Sequence, residues 1–152
     1  MKTITRRSLL LGAPCACLAG ASKECCSVPA VFGEAVRIAP GLVTIELAGV
    51  PELGRSGGFV KVVDERRKLQ ILVARVTRDR FVALDQKCTH GGGALTYVHA
   101  HQHLYCTCWG HSKFALDGSV IRWPNQQTPR PIRAHAVTRR GQSLEIRVEG
   151  LA

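Results

Sequence analysis

Aromatic residues make up only 5% of this 152-residue sequence, and acidic residues are also scarce, with 11 Asp plus Glu against 21 Lys plus Arg. With so few aromatic rings there is no stacking platform for bases, and the arginine pairs near positions 6, 66 and 139 are scattered rather than gathered on one helix. The formal charge of +10 is therefore read as a docking face for an acidic protein or an anionic membrane surface, with no nucleic acid as partner. No apolar run reaches the roughly 20 residues that span a bilayer. Internal repeats and long low-complexity tracts are absent. What is present is 45% hydrophobic residues, enough for the core of one domain, with Gly 15 and Pro 7 breaking the chain into the short pieces of a turn-rich β protein.

The amino terminus reads "MKTITRRSLLLGAPCACLAGASKECC". Lys2, Arg6 and Arg7 precede an apolar stretch over residues 9 to 21, and Ala19-Gly20-Ala21 offers small residues for cleavage, the layout of an export signal. Thr5-Arg6-Arg7-Ser8-Leu9-Leu10 resembles the twin-arginine signal, which implies a cargo folded and loaded with its cofactor before export. No acceptable lipobox precedes Cys15, Cys17 or Cys25. The expected organisation is a signal segment over 1–21, a linker over 22–40 and one domain over 41–152.

Within that domain "KLQILVARV", a turn at residues 77 to 80, and "RFVALDQKCTH" predict a β-hairpin that delivers Cys88 at a strand end. Gly91-Gly92-Gly93 then keeps the following loop free of bulk. "ALTYVHAHQHLYCTCW" alternates, "SVIRW" follows a turn at "ALDG", a proline-rich loop crosses the surface, and "AVTRRGQSLEIRVEG" closes with a hairpin. The predicted fold class is all-β, a small antiparallel sandwich with two ligand-bearing loops at adjacent strand ends and no helix in the mature part.

The chemistry lies in Cys88-Thr89-His90, then 17 residues, then Cys108-Trp109-Gly110-His111. Cys106 also reaches His111 by a C-x4-H spacing, and spacing alone does not exclude it. Two Cys and two His suit a structural zinc, which would make the chain an exported zinc-stabilised binding module with no redox role. Zinc sites usually pair like with like, however, whereas here each loop supplies one Cys and one His. One thiolate and one imidazole from each loop suit a [2Fe-2S] cluster in which two histidines replace two cysteines on one iron.

Residues 81 to 134 resemble a Rieske iron-sulfur domain, with its C-x-H and C-x-x-H loops. "FVALDQKCTHGGGAL" is similar to the family's strand and first cluster loop, "DGSVIRWPNQQTPRPI" to its hairpin and proline loop, and "GVPELGRSGGFVKVV" to its opening strands. With the leader, the chain resembles the exported Rieske proteins of bacteria, of the quinol-cytochrome c reductase iron-sulfur subunit or arsenite oxidase small subunit kind. The resemblance implies a Rieske-like antiparallel sandwich with a small cluster-binding subdomain, and one Rieske-type [2Fe-2S] cluster per chain. Cys88 and Cys108 would hold the inner iron, His90 and His111 the outer, and Cys106 would stand aside. It further implies an electron-transfer subunit rather than a complete enzyme, working with a cytochrome, a catalytic oxidoreductase subunit or a quinol. Its place would be the periplasm or the outer face of the cytoplasmic membrane.

Three departures from the family pattern stand out. Quinol-oxidising members carry two further cysteines that tie the loops together; Gly93 and Gly110 occupy the matching positions here. After the last ligand His111-Ser112-Lys113-Phe114 is one residue shorter than the family's H-G-S-x-F/Y, so a hydroxyl to the cluster is either missing or supplied from another angle by Ser112. Trp109 stands where proline is usual. His99, His101 and His103 alternate as if on one strand face and are read as solvated side chains; Cys25, Cys26 and Cys106 are read as thiols beyond the ligands, and Trp123 and Phe114 as core.

Overall fold

Ile71, Leu72, Val73 and Ala74 are consecutive and all fully buried, which requires the strand that carries them, β5 (Leu69–Arg75), to be covered on both faces. The computed structural model describes residues 28–108, 110–124 and 128–152; the leader with Arg6 and Arg7, Cys25, Cys26 and Trp109 lie outside the described residues. Before β5 come β1 (Ala30–Val31), β2 (Val36–Ala39), β3 (Leu42–Glu46) and β4 (Phe59–Asp64). After it come β6 (Phe81–Asp85), β7 (Leu95–Val98), β8 (His103–Cys106), β9 (Lys113–Ala115), β10 (Val120–Arg122), β11 (Ala134–Arg140) and β12 (Ser143–Arg147). Helical structure among the described residues is confined to short 3-10 turns, so the all-β expectation holds.

Eight strands form one sheet in the order β1-β4-β5-β6-β11-β12-β3-β2, and four form a second in the order β10-β9-β8-β7. Pairing is antiparallel except between β1 and β4, which run parallel. The expected hairpin is β5–β6, registered from Ile71 opposite Asp85 to Arg75 opposite Phe81. Ile71 and Val73 pack on one side with Val43, Ile45, Val60, Leu144 and Ile146. Leu72, Ala74 and Leu84 pack on the other side with Leu95, Leu104 and Phe114 of the smaller sheet. Phe114 is fully buried and Trp123 packs against the same cluster, as core readings of both require.

The proline-rich loop is seated by Gly118. Its φ of +88° is one that L side chains rarely adopt, and a Cβ there would strike the carbonyl of Ile132. That close approach lets the Ile132 amide donate to the Gly118 carbonyl at 3.0 Å, drawing the loop onto the smaller sheet.

The three alternating histidines do not share a strand. β7 and β8 are a hairpin, and the reversal between them is a 3-10 turn over His99–His101 with Gln102 at φ 47°. Turn geometry overrides the period-2 pattern at this point. His99 and His101 are exposed, but His103 lies in β8 only 8% exposed, its ring stacked on His101 with centroids 5.6 Å apart, so it is not a solvated side chain. Burial pushes its pKa below the ordinary value, with the charges of Lys113 and His101 adding to the effect against a hydrogen bond with the His101 backbone. The unfolded chain, whose histidine titrates near ~6.5, then binds the proton better than the folded one. The resulting stability is fully present above that pH and is lost as pH falls through the depressed folded value. We expect the melting temperature to drop more between pH 7.5 and pH 5 in the native chain than in His103→Gln, as followed by circular dichroism at the wavelength of the β signal.

Candidate metal centre

Cys88 leaves the large sheet just after β6, and Cys106 ends β8 of the small one, so packing of the two sheets brings both strand ends together. The base of the first loop is fixed by Gln86, 1% exposed, which accepts from Gln70 at 3.0 Å and donates to the Leu95 carbonyl at 3.4 Å. Backbone bonds close both loops: Cys88 N–H to Gly93 O and Gly92 N–H to Cys88 O at 2.8 Å each, and His111 N–H to Cys108 O at 3.0 Å. Thr107 N–H donates to Ala94 O at 3.0 Å and links one loop to the other.

The Sγ atoms of Cys88, Cys106 and Cys108 all lie within 4.8 Å of one another. Cys88 is 2% exposed and Cys106 fully buried, while Cys108 is half-buried nearer the surface. The Cys108 Sγ stands 3.5 Å from His90 Nδ1 and 2.7 Å from the Cys106 Sγ. His90 is half-buried and makes an edge contact with Trp123, ring centroids 5.4 Å apart. Of the residues singled out in the sequence, Cys88, His90 and Cys108 are thus brought together. His111 is exposed, and its Nδ1 is bonded to the Tyr105 hydroxyl, with the two rings stacked at 5.3 Å.

One residue of the site was set aside in the sequence and one was missed. Cys106, left open by its C-x4-H spacing and set aside on the family pattern, has its Sγ in the sulfur group. Tyr105 holds His111, for which the sequence carried no signal. The two glycines are close-packed: a Cβ at Gly93 would meet Cys108 Cβ at 2.6 Å and Cys106 Sγ at 3.3 Å, and one at Gly110 would meet His90 and Pro124. The absence of side chains at both positions is what leaves room for the sulfurs and the imidazole.

The thiols divide their roles before any group is bound. Burial raises the Cys106 pKa above its ordinary value, and the hydrogen bond to Cys108 raises it further. Burial also acts to raise Cys108, but hydrogen bonds from Cys106, His90, the Gly110 backbone and Cys88 together outweigh it and bring that thiol down to about 7. Cys108 is therefore the more acidic of the two thiols.

Soft thiolates with an imidazole select zinc or an iron-sulfur cluster. Ser112 Oγ is buried without a hydrogen-bond partner, a free hydroxyl next to His111 that suits a sulfide acceptor better than a closed zinc tetrahedron. The donor set, the side-chain-free cradle and this unpaired hydroxyl fit a [2Fe-2S] cluster.

In place of the inter-loop disulfide of some relatives, the first loop is clasped to the proline-rich loop. Thr89 Oγ1 donates to the Arg130 carbonyl at 2.6 Å, and Arg130 Nη2 donates to the Thr89 carbonyl at 2.5 Å. Thr89 sits between Cys88 and His90, so this clasp fixes both. Removing it by Thr89→Val or Arg130→Ala is expected to speed loss of the bound metal to a chelator several-fold, read as decay of the visible absorbance, with the melting temperature of the large sheet little changed. Equal chelation rates would show that the clasp does not hold the loop.

Residues 45–142, well over half of the chain, match the family model of the Rieske [2Fe-2S] domain. No curated protein sequence matches the chain. Among solved structures it is similar to the cyanobacterial plasma membrane Rieske protein PetC3 from Synechocystis PCC 6803, at 20% identity and a TM-score of 0.49 over 60% of this chain and 88% of that one. With two cluster loops on a Rieske-matching frame and a sulfur and imidazole cradle that suits the family's [2Fe-2S] cofactor, the chain belongs to the Rieske [2Fe-2S] domain family.

Proposed function

We propose that the protein is an exported one-electron carrier, the iron-sulfur subunit or partner of an oxidoreductase rather than a complete enzyme. The observation that carries this reading is the gathering of three sulfurs and His90 where the two cluster loops meet, inside a Rieske domain. The family's spacing assigns the cluster to Cys88, His90, Cys108 and His111. The bound cluster supplies a site that gains and loses one electron. This chain's residues would hold it: Cys88 from the buried side, Cys108 as the more acidic thiol, His90 beside Trp123 and the exposed His111, with Thr89 and Arg130 keeping the first loop in place.

Electrons would pass through the imidazoles, because His90 is half-buried and His111 exposed while Cys88 and Cys106 are covered. The formal charge of +10 favours an acidic partner surface, as a cytochrome or a catalytic oxidoreductase subunit of molybdenum type would offer, with a quinol as the small-molecule donor. The leader over 1–21, a linker over 22–40 and the domain over 41–152 fit transport by the twin-arginine route to the periplasm or the outer face of the cytoplasmic membrane. No helix among the described residues is long and apolar enough to cross a membrane. Of the two export-linked subtypes, a quinol-cytochrome c reductase subunit and an arsenite oxidase small subunit, both use such a carrier.

A redox titration of the purified protein tests this. One reversible one-electron step is expected in the lower part of the Rieske range, which runs roughly from −150 to +300 mV, because Gly93 and Gly110 leave the cluster loops without the disulfide that ties them in quinol-oxidising members. A midpoint at the top of that range would contradict the argument from the loops, and no redox step in a zinc-containing protein would leave a structural module instead.

A further inference from the structure

We propose that the outer face of the small sheet, beside His111, is where this carrier meets its redox partner, and that the partner brings an acidic protein surface to it. The proposal rests on the electron-carrier reading and narrows it to one side of the site.

Cross-strand register divides the small sheet into two faces. Leu95, Tyr97, Leu104, Cys106, Phe114 and Val120 belong to the core between the sheets. The alternate residues point outward. Thr96 opposite Tyr105, Tyr105 opposite Lys113 and Lys113 opposite Arg122 make one outward row. Val98, His103 and Ala115 make the next, where the His101 ring stacks on His103 and leaves it 8% exposed. The open part of the face is therefore the first row. At its edge the register shift between Val120 and Arg122 leaves Ile121 57% exposed. The Tyr105 ring stacks on the exposed His111, 16° from parallel, and so joins this row to that imidazole. His90, by contrast, is half-buried against Trp123.

Charge is distributed to match. Residues 86–133, which include both cluster loops and the small sheet, carry Lys87, Lys113, Arg122, Arg130 and Arg133 against a single acidic residue, Asp117. Asp117 lies in the β9–β10 turn, at the opposite end of that hairpin from Lys113 and Arg122. Residues 28–85 and 134–152 are nearly balanced, with twelve Lys plus Arg against nine Asp plus Glu. A carboxylate-bearing partner is thus drawn to the cluster end and not to the molecule at large. Two cations around one apolar side chain, next to an exposed imidazole, suit the small and polar contact of a transient electron-transfer pair. A membrane interface takes up a continuous apolar face, and among the described residues the exposed large hydrophobics are Phe32 and Ile121 alone.

Stopped-flow oxidation of the reduced full-length protein by ferricyanide tests this, the trianion standing in for the partner's carboxylates. Lys113→Glu combined with Arg122→Glu should slow that reaction about tenfold at low ionic strength and speed oxidation by the cation tris(phenanthroline)cobalt(III). Arg37→Glu combined with Arg147→Glu, the same change of charge at exposed positions of the large sheet, should leave both rates little altered. Equal slowing by the two pairs would show that net charge does the steering, and overturns the proposal. The redox-inert anion hexacyanochromate(III) gives a second reading, because it should broaden the amide resonances of β9 and β10 most. Broadening centred on Arg66, Arg67 and Lys68 overturns it as well. Binding to phosphatidylglycerol vesicles that is lost in the Lys113 and Arg122 double variant would assign the face to a membrane and not to a protein. A zinc-loaded protein with no redox step fails differently: it removes the electron-carrier reading, while the broadening still decides whether this face gathers anions.

Discussion

Apolar contact between Leu72, Ala74 and Leu84 of the large sheet and Leu95, Leu104 and Phe114 of the small one sets the distance between two strand ends, and the site depends on that distance. Cys88 and Cys106 belong to this same packed cluster, so the sulfurs are positioned by the core rather than by the loops that follow. Burying side chains of this size stabilises the contact by about 1.5–3 kcal/mol each, enough to hold thiols close that would otherwise separate to be solvated. The clasp of Thr89 and Arg130 and the inter-loop bond from Thr107 then act on a frame already fixed, which is why the loops can lack a disulfide.

Cys106 and Cys108 differ because of where the strand ends. Cys106 is still in β8 and keeps its proton through burial; Cys108 lies two residues further out, where hydrogen bonds from its neighbours bring its thiol down to about 7. A bound metal would deprotonate a coordinating thiol outright, so the difference belongs to the site before a cluster is bound. The basic exterior stands apart from this interior and serves encounter rather than chemistry.

Much of the fold was legible because local signals agreed with the tertiary outcome. "KLQILVARV" and "RFVALD" form β5 and β6 with the expected turn between them, and the unbroken apolar run in β5 reflects cover on both faces. Where the pattern misled, a long-range contact or a turn decided the matter. His99, His101 and His103 alternate like a strand, yet the hairpin has to reverse there, and only His103 stays in a sheet. Spacing left Cys106 open but did not show how near its sulfur lies to Cys88, since spacing counts residues along one loop and cannot measure the gap between two.

The most direct test of the account is an electron paramagnetic resonance spectrum of the dithionite-reduced protein, produced with its own leader and with iron supplied. The account predicts a rhombic signal of one unpaired electron per chain, with an average g below that of the free electron and two irons and two sulfides per protein, as a [2Fe-2S] carrier with imidazole ligation requires. A silent spectrum from a protein holding one zinc per chain would contradict it.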